Sequence, residues 1–276
     1  MALFNPKTLI TLRQETVRPG DTVEFAWEFI GDASRISALS MTWVGIERAT
    51  HRVGTNTQTK KHRFHEVACV TIDAETGEGD VGDIPFGTGV IEVPSDRHPS
   101  FKSHNNEIIW ALEVVGTVRR WPDIKALFPI VVLPLEVEES SSTASEGSRA
   151  PVRDGNELQL TVHRDSAQFR PGETLRATIE WDREEAPRSL EWNLLWHTSG
   201  LGTEDVGTVL SEKLDPASAT GSEEISIEIP DFPYSFSGKY IGLDWSLEVE
   251  IRGGGKKRTV TVPITISPTD EEWTWK

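Results

Sequence analysis

Several blocks of residues occur twice, in the same order, along this chain, and that duplication limits the possible folds more than any other feature. Arg18-Pro19-Gly20-Asp21-Thr22 opens the alternating run 23–29, and Arg170-Pro171-Gly172-Glu173-Thr174 opens the matching run 175–181. Val90-Ile91-Glu92-Val93-Pro94 is echoed by Ser226-Ile227-Glu228-Ile229-Pro230. Trp110-Ala111-Leu112-Glu113-Val114 is echoed by Trp245-Ser246-Leu247-Glu248-Val249. At nearly the same distance beyond these come Phe128-Pro129-Ile130 and Val262-Pro263-Ile264. Self-similarity of this kind means two copies of one structural unit in tandem.

Both copies alternate apolar and polar residues with a period of two, the pattern of half-buried strands. The first half predicts strands near 8–14, 22–29, 36–47, 60–73, 87–93, 107–115 and 128–133. The second predicts them near 158–163, 174–181, 189–198, 205–214, 223–229, 240–251 and 257–266. About seven strands per half fit two tandem immunoglobulin-like β-sandwiches, an all-β fold. No stretch carries a helical apolar stripe over three turns, although residues 123–127 suit a short helical turn after Trp121-Pro122. Gly253-Gly254-Gly255 reads as a hairpin turn. The expected domains are 1–135 and 156–268. Residues 136–155, acidic and serine-rich, are expected to form a flexible linker between them, and 269–276 a C-terminal tail.

Composition narrows the functions. A net charge of −16 argues against DNA or RNA as partner, because phosphate binding needs clustered lysine and arginine. It also disfavours electrostatic docking on an anionic membrane. The N-terminus shows no basic region followed by an apolar run, and no stretch approaches the length of a membrane span. The single cysteine, Cys69, allows no internal disulfide, and a cytoplasmic location is the expectation.

The repeated blocks resemble the arrestin-like superfamily, which includes arrestins, the retromer subunit vacuolar sorting protein 26 and the bacterial sporulation-control protein Spo-zero-M. The residues behind the resemblance are the two Arg-Pro-Gly turns, 18–20 and 170–172. With them go the loops around Pro99-Ser100-Phe101 and Pro233-Tyr234-Ser235-Phe236, each preceding a Trp-x-Leu-Glu-Val strand. The likeness spans residues 7–268 and points to a bacterial member with arrestin-like N and C domains. It implies a non-enzymatic adaptor or scaffold that binds a protein or peptide through strand edges, loops and the interdomain groove. Alternatives are a structural subunit of a trafficking or secretion assembly, and a carbohydrate- or lipid-binding module. The buried charged cluster of visual arrestins has no counterpart here, so sensing of a phosphorylated receptor does not carry over.

Candidate binding residues are few. Lys60-Lys61-His62-Arg63 is the only dense basic run. Lys60, Lys61 and Arg63 suit an acidic peptide, a phosphate or the chain's own acidic tail; otherwise Lys61, Arg63 and His65 are the solvated face of a strand. Trp273 and Trp275, two apart after an acidic step, would share one face of an extended tail that adds to a partner's sheet or covers an edge of its own. His62 and His65, three apart on a strand, point to opposite faces and do not form a metal site. No catalytic motif is present, and Cys69 reads as a small buried hydrophobe. No catalytic, cofactor-binding or metal-binding residue is expected. Most of the ten tryptophans alternate in phase with apolar neighbours and belong in the core.

Overall fold

The computed structural model describes residues 6–136, 147–269 and 271–275. They are all-β. Among them the one helical segment is a single 3-10 turn, Val81–Asp83. The chain divides into two compact units, residues 1–135 together with 275–276, and residues 136–274.

The first unit holds β1 (Lys7–Leu12), β2 (Thr22–Ile30), β3 (Ile36–Val53), β4 (Asn56–Asp73), β5 (Phe86–Glu92), β6 (Phe101–Lys102), β7 (Asn106–Val118) and β8 (Ile124–Pro129). One sheet has the order β1-β2-β5. The other has the order β4-β3-β7-β6, with β8 also on β7. Every second residue of β2 turns inward, so Val23, Phe25, Trp27 and Phe29 are all buried. Trp43 and Trp110 stack in the other sheet, centroids 5.2 Å apart, and aromatic bulk of this kind supplies much of a small sandwich's buried area. A Cβ on Gly89 would meet Phe25 Cζ at 2.5 Å and Val70 Cγ2 at 2.9 Å. Side chains of β2 and β4 therefore close over β5 with no room to spare.

The second unit holds β9 (Val152–Asp154), β10 (Leu158–Val162), β11 (Gln168–Phe169), β12 (Thr174–Asp182), β13 (Ser189–Gly200), β14 (Val206–Leu214), β15 (Thr220–Glu228), β16 (Phe236–Ser237), β17 (Ile241–Gly253), β18 (Lys256–Ile266) and β19 (Trp273–Thr274). Its sheets run β15-β12-β10-β9 and β11-β18-β17-β13-β14, with β16 on β17 and β19 on β16. β2 and β12 share one burial pattern, residue for residue.

The duplication extends to individual hydrogen bonds. Asp21 caps the Arg18 amide at 2.8 Å and Glu173 caps the Arg170 amide at 2.9 Å. The turn glycines Gly20 and Gly172, both at positive φ, donate to Val93 O and Ile229 O at 2.9 Å each. Only glycine adopts that backbone region cheaply. Trp110 Nε1 donates to His98 O at 2.9 Å and Trp245 Nε1 to Pro233 O at 3.0 Å, each reaching twelve residues back. Ser100 Oγ accepts from Val132 N and Ser235 Oγ from Ile266 N, both at 3.0 Å. Trp27 and Trp181 each cover a glycine, Gly87 and Gly221.

Three expectations need correcting. Residues 123–127 form no helical turn. Ile124–Pro129 is β8, paired with β7 from Gly116↔Ile124 to Ala111↔Pro129, and the direction change is taken up by Trp121-Pro122 and by Arg120 at φ 61°. Most of the strand expected at 128–133 thus lies after β8, where Val132 makes a single parallel bridge to Val17. The segment assigned to a linker at 136–155 includes β9, because Asp154 accepts from Arg258 Nη1 and Thr259 N and so ties this stretch to β18. Residues 137–146 lie outside the described ones. The hairpin turn expected at 253–255 is present, with Gly254 and Gly255 both at positive φ.

Gly87 and Gly221 supply a test of this packing. Their Cβ atoms would fall 2.4 Å and 2.3 Å from the ring of Trp27 and of Trp181. We expect Gly87→Ala and Gly221→Ala each to destabilise the protein by about 1–3 kcal/mol, the usual cost of overpacking, as measured by urea unfolding.

Candidate protein-binding surface

β4 is the terminal strand of its sheet. It is eighteen residues long and pairs with β3 along its whole length, from Val53↔Asn56 to Ala38↔Asp73. Its other edge makes one bridge among the described residues, Asp73↔Glu78. A row of backbone N–H and C=O groups is therefore left facing outward, the usual template for strand addition.

Two bulges decide which side chains point where. Gly45 pairs with His65 and Ile46 with Arg63, so Phe64 is the extra residue; Met41 pairs with Val70 and Thr42 with Ala68, so Cys69 is the second. A bulge resets the alternation of faces. Lys61 and Arg63, opposite Arg48 and Ile46, share the outward face, whereas Lys60, opposite Ala49, lies on the other. His65 leaves the Lys61–Arg63 face, against expectation, and meets the Trp110 ring edge-on at 5.3 Å.

Lys61 and Arg63 line a groove of 360 Å³ with Ile46, Glu113, Lys125, Ala126 and Leu127. Buried Val44, Ile46 and Ala111 form an apolar layer at its base, with Ile109 packed against them. Arg63 spans it, donating from both terminal nitrogens to Glu113 at 2.9 Å and 2.6 Å. That pairing raises the Arg63 guanidinium above its ordinary value. Lys61 and Lys125 stand on either side, exposed and with no acidic partner among the described residues.

The second unit shows that the fold does not require these charges. With β7 and β17 aligned on Trp110 and Trp245, the registers place His197 at the position of Ile46, Val206 at that of Arg63, Thr259 at that of Lys125 and Thr261 at that of Leu127. Only the first unit carries lysine or arginine at these positions.

The two tail tryptophans are occupied by the protein itself. Trp273 is buried in β19 beside Phe236 and meets Tyr234 edge-on at 5.4 Å. Trp275, buried in the first unit, stacks on Phe64 at 4.9 Å, and its indole N–H donates to the buried carboxyl group of Glu47. Composition offered no signal for this socket, because it depends on the bulge that turns Phe64 over Gly45. Cys69 is half-buried, and burial pushes its thiol up from the ordinary value, so little thiolate is present at neutral pH.

No protein-family model matches this chain, and no curated protein matches it. Among the described residues no helix is long and apolar enough to cross a membrane.

Two outcomes follow. Trp275→Phe keeps a ring over Phe64 but removes the donor to Glu47, so stability should fall by about 1–3 kcal/mol, the cost of one buried hydrogen bond, as read by denaturant unfolding. Burial holds the His65 imidazole below the ordinary histidine value; Arg97 adds to the effect and Asp96 opposes it. The unfolded chain then binds a proton near pH 6.5 that the folded chain takes only at lower pH, so stability drops as pH falls from about 6.5 through the folded value. His65→Gln should lessen the fall in Tm between about pH 7.5 and 5.5. An unchanged profile would mean that His65 is not its source.

Proposed function

We propose that this protein is a non-enzymatic adaptor of the arrestin-like type, built from tandem immunoglobulin-like sandwiches, that captures an extended acidic segment of a partner protein on β4. The observation that carries this reading is the edge of β4, open among the described residues, beside a groove whose Lys61 and Lys125 have no acidic partner among those residues. Backbone groups along the edge supply affinity of a kind that any extended segment can satisfy. The two ammonium groups select carboxylates and give an acidic segment a local attractive site on a chain whose net charge of −16 repels it elsewhere. Arg63, already engaged by Glu113, holds the groove's shape and is a weaker candidate for direct recognition. The single cysteine fits a reducing, cytoplasmic setting. The duplicated turn, loop and tryptophan bonds support the family reading.

The test is co-purification from the native cell, with Lys61→Glu/Lys125→Glu as comparison. One stoichiometric partner should be retained by the native chain, released by moderate salt, and lost on the double substitution, while the melting curve is unchanged. Capture that survives the double substitution contradicts the reading. Concentration-dependent self-assembly without a foreign partner would favour a structural subunit instead.

A further inference from the structure

The outward face of the β1-β2-β5 sheet lies apart from the β4 groove and carries the opposite chemistry. Leu9, Glu28 and Phe86 form one row across it, since Leu9 pairs with Glu28 and Glu28 with Phe86. Leu9 is 48% and Phe86 65% exposed, and Ile30 and Val90 on the same face are 56% and 44% exposed. A groove of 390 Å³ follows the row, with Thr11, Ala26, Trp27, Gly87 and Thr88 also lining it.

The second unit again serves as an internal comparison. Through the strand registers, Leu9 corresponds to Gln159, Ile30 to Asp182, Phe86 to Ser222 and Val90 to Ser226. All four apolar residues have polar counterparts. The sandwich therefore does not require an apolar outer surface here, and a cluster of this kind marks an interaction site. The acidic residue in the row differs as well. Glu180, the counterpart of Glu28, accepts a hydrogen bond from Gln159, which itself accepts one from Arg153 at 2.6 Å. Glu28 has neither a hydrogen bond nor an ion pair among the described residues. Glu24, further along β2, is neutralised by Arg13 at 2.5 Å.

We propose that this face docks a segment of another protein in which apolar side chains flank a lysine or arginine. The apolar side chains would cover Leu9 and Phe86, and the cation would meet the Glu28 carboxylate between them. Charge decides against the other occupants. A second copy would oppose a chain of net charge −16 and bring a second Glu28, and an anionic lipid surface would meet the same carboxylate. The proposal is independent of the β4 groove, whose free charges are positive.

The experiment titrates the isotopically labelled full chain with a short peptide alternating leucine and lysine, and with a matched peptide of leucine and glutamate, followed by amide chemical shifts. Saturable shifts confined to β1, β2 and β5 are expected with the lysine peptide only. Leu9→Gln/Phe86→Ser, which installs the second unit's residues at exposed positions, should weaken binding by about tenfold or more. Glu28→Gln should weaken it less and remove its salt dependence. Equal binding by Leu9→Gln/Phe86→Ser, shifts mapping to the β10-β12-β15 face, or equal response to the glutamate peptide overturns the proposal. So does dimerisation of the free chain, or its binding to phosphatidylserine vesicles, if Leu9→Gln/Phe86→Ser abolishes it.

Discussion

Each unit depends on one hydrogen bond from a buried indole to a loop carbonyl twelve residues earlier, Trp110 to His98 and Trp245 to Pro233. A buried indole N–H left without an acceptor is costly, so the ring and the loop must settle together. The bond seats the loop against the start of the long central strand, β7 or β17. The serine two residues beyond the accepting carbonyl, Ser100 or Ser235, then joins that loop to the last strand region through Val132 or Ile266. The Arg-Pro-Gly turn completes the frame, because its glycine donates to the carbonyl just after β5 or β15. Strand order and register follow from these tethers together with inward alternation.

Because the frame is present twice, the chain carries its own control. Whatever both copies share is what the sandwich requires; whatever differs at matched positions is available for other work. The shared set is the turn, the tethered tryptophan, the inward residues of β2 and β12, and the glycines beneath Trp27 and Trp181. The differences concentrate on the outward faces of the first unit. One of its sheets presents Lys61 and Lys125 around an apolar floor. Its other sheet presents Leu9 and Phe86 around the Glu28 carboxylate, which is unpaired among the described residues. Matched positions in the second unit are polar, with Val206 at the place of Arg63 the exception.

Much of this was legible in the residues, for physical reasons. Alternation places strands well wherever one face is buried, so β2, β12, β17 and β18 lie within two residues of expectation. It failed at 123–127, where a short run after Trp121-Pro122 has too few residues to tell a helical turn from an edge strand on β7. It could not anticipate the two-residue strands β6, β11, β16 and β19, which exist only because a neighbouring strand offers free backbone groups. The candidate surface was half legible. The run at Lys60–Arg63 stood out by charge, but strict alternation does not reveal the bulges at Phe64 and Cys69, and the first of them moves His65 off the Lys61–Arg63 face. Lys125 joins the groove only through β8, which sequence patterning had misread.

The proposed site requires β4 to have one paired edge and one open edge. Amide hydrogen exchange of the full chain, resolved residue by residue, tests this directly. Amides of β4 directed at β3 should be protected, and those between them should exchange almost as fast as in an unfolded chain, with the alternation shifting phase at Phe64 and Cys69. Unbroken protection along residues 57–72 would mean that something already covers the edge, and the proposed site would not exist.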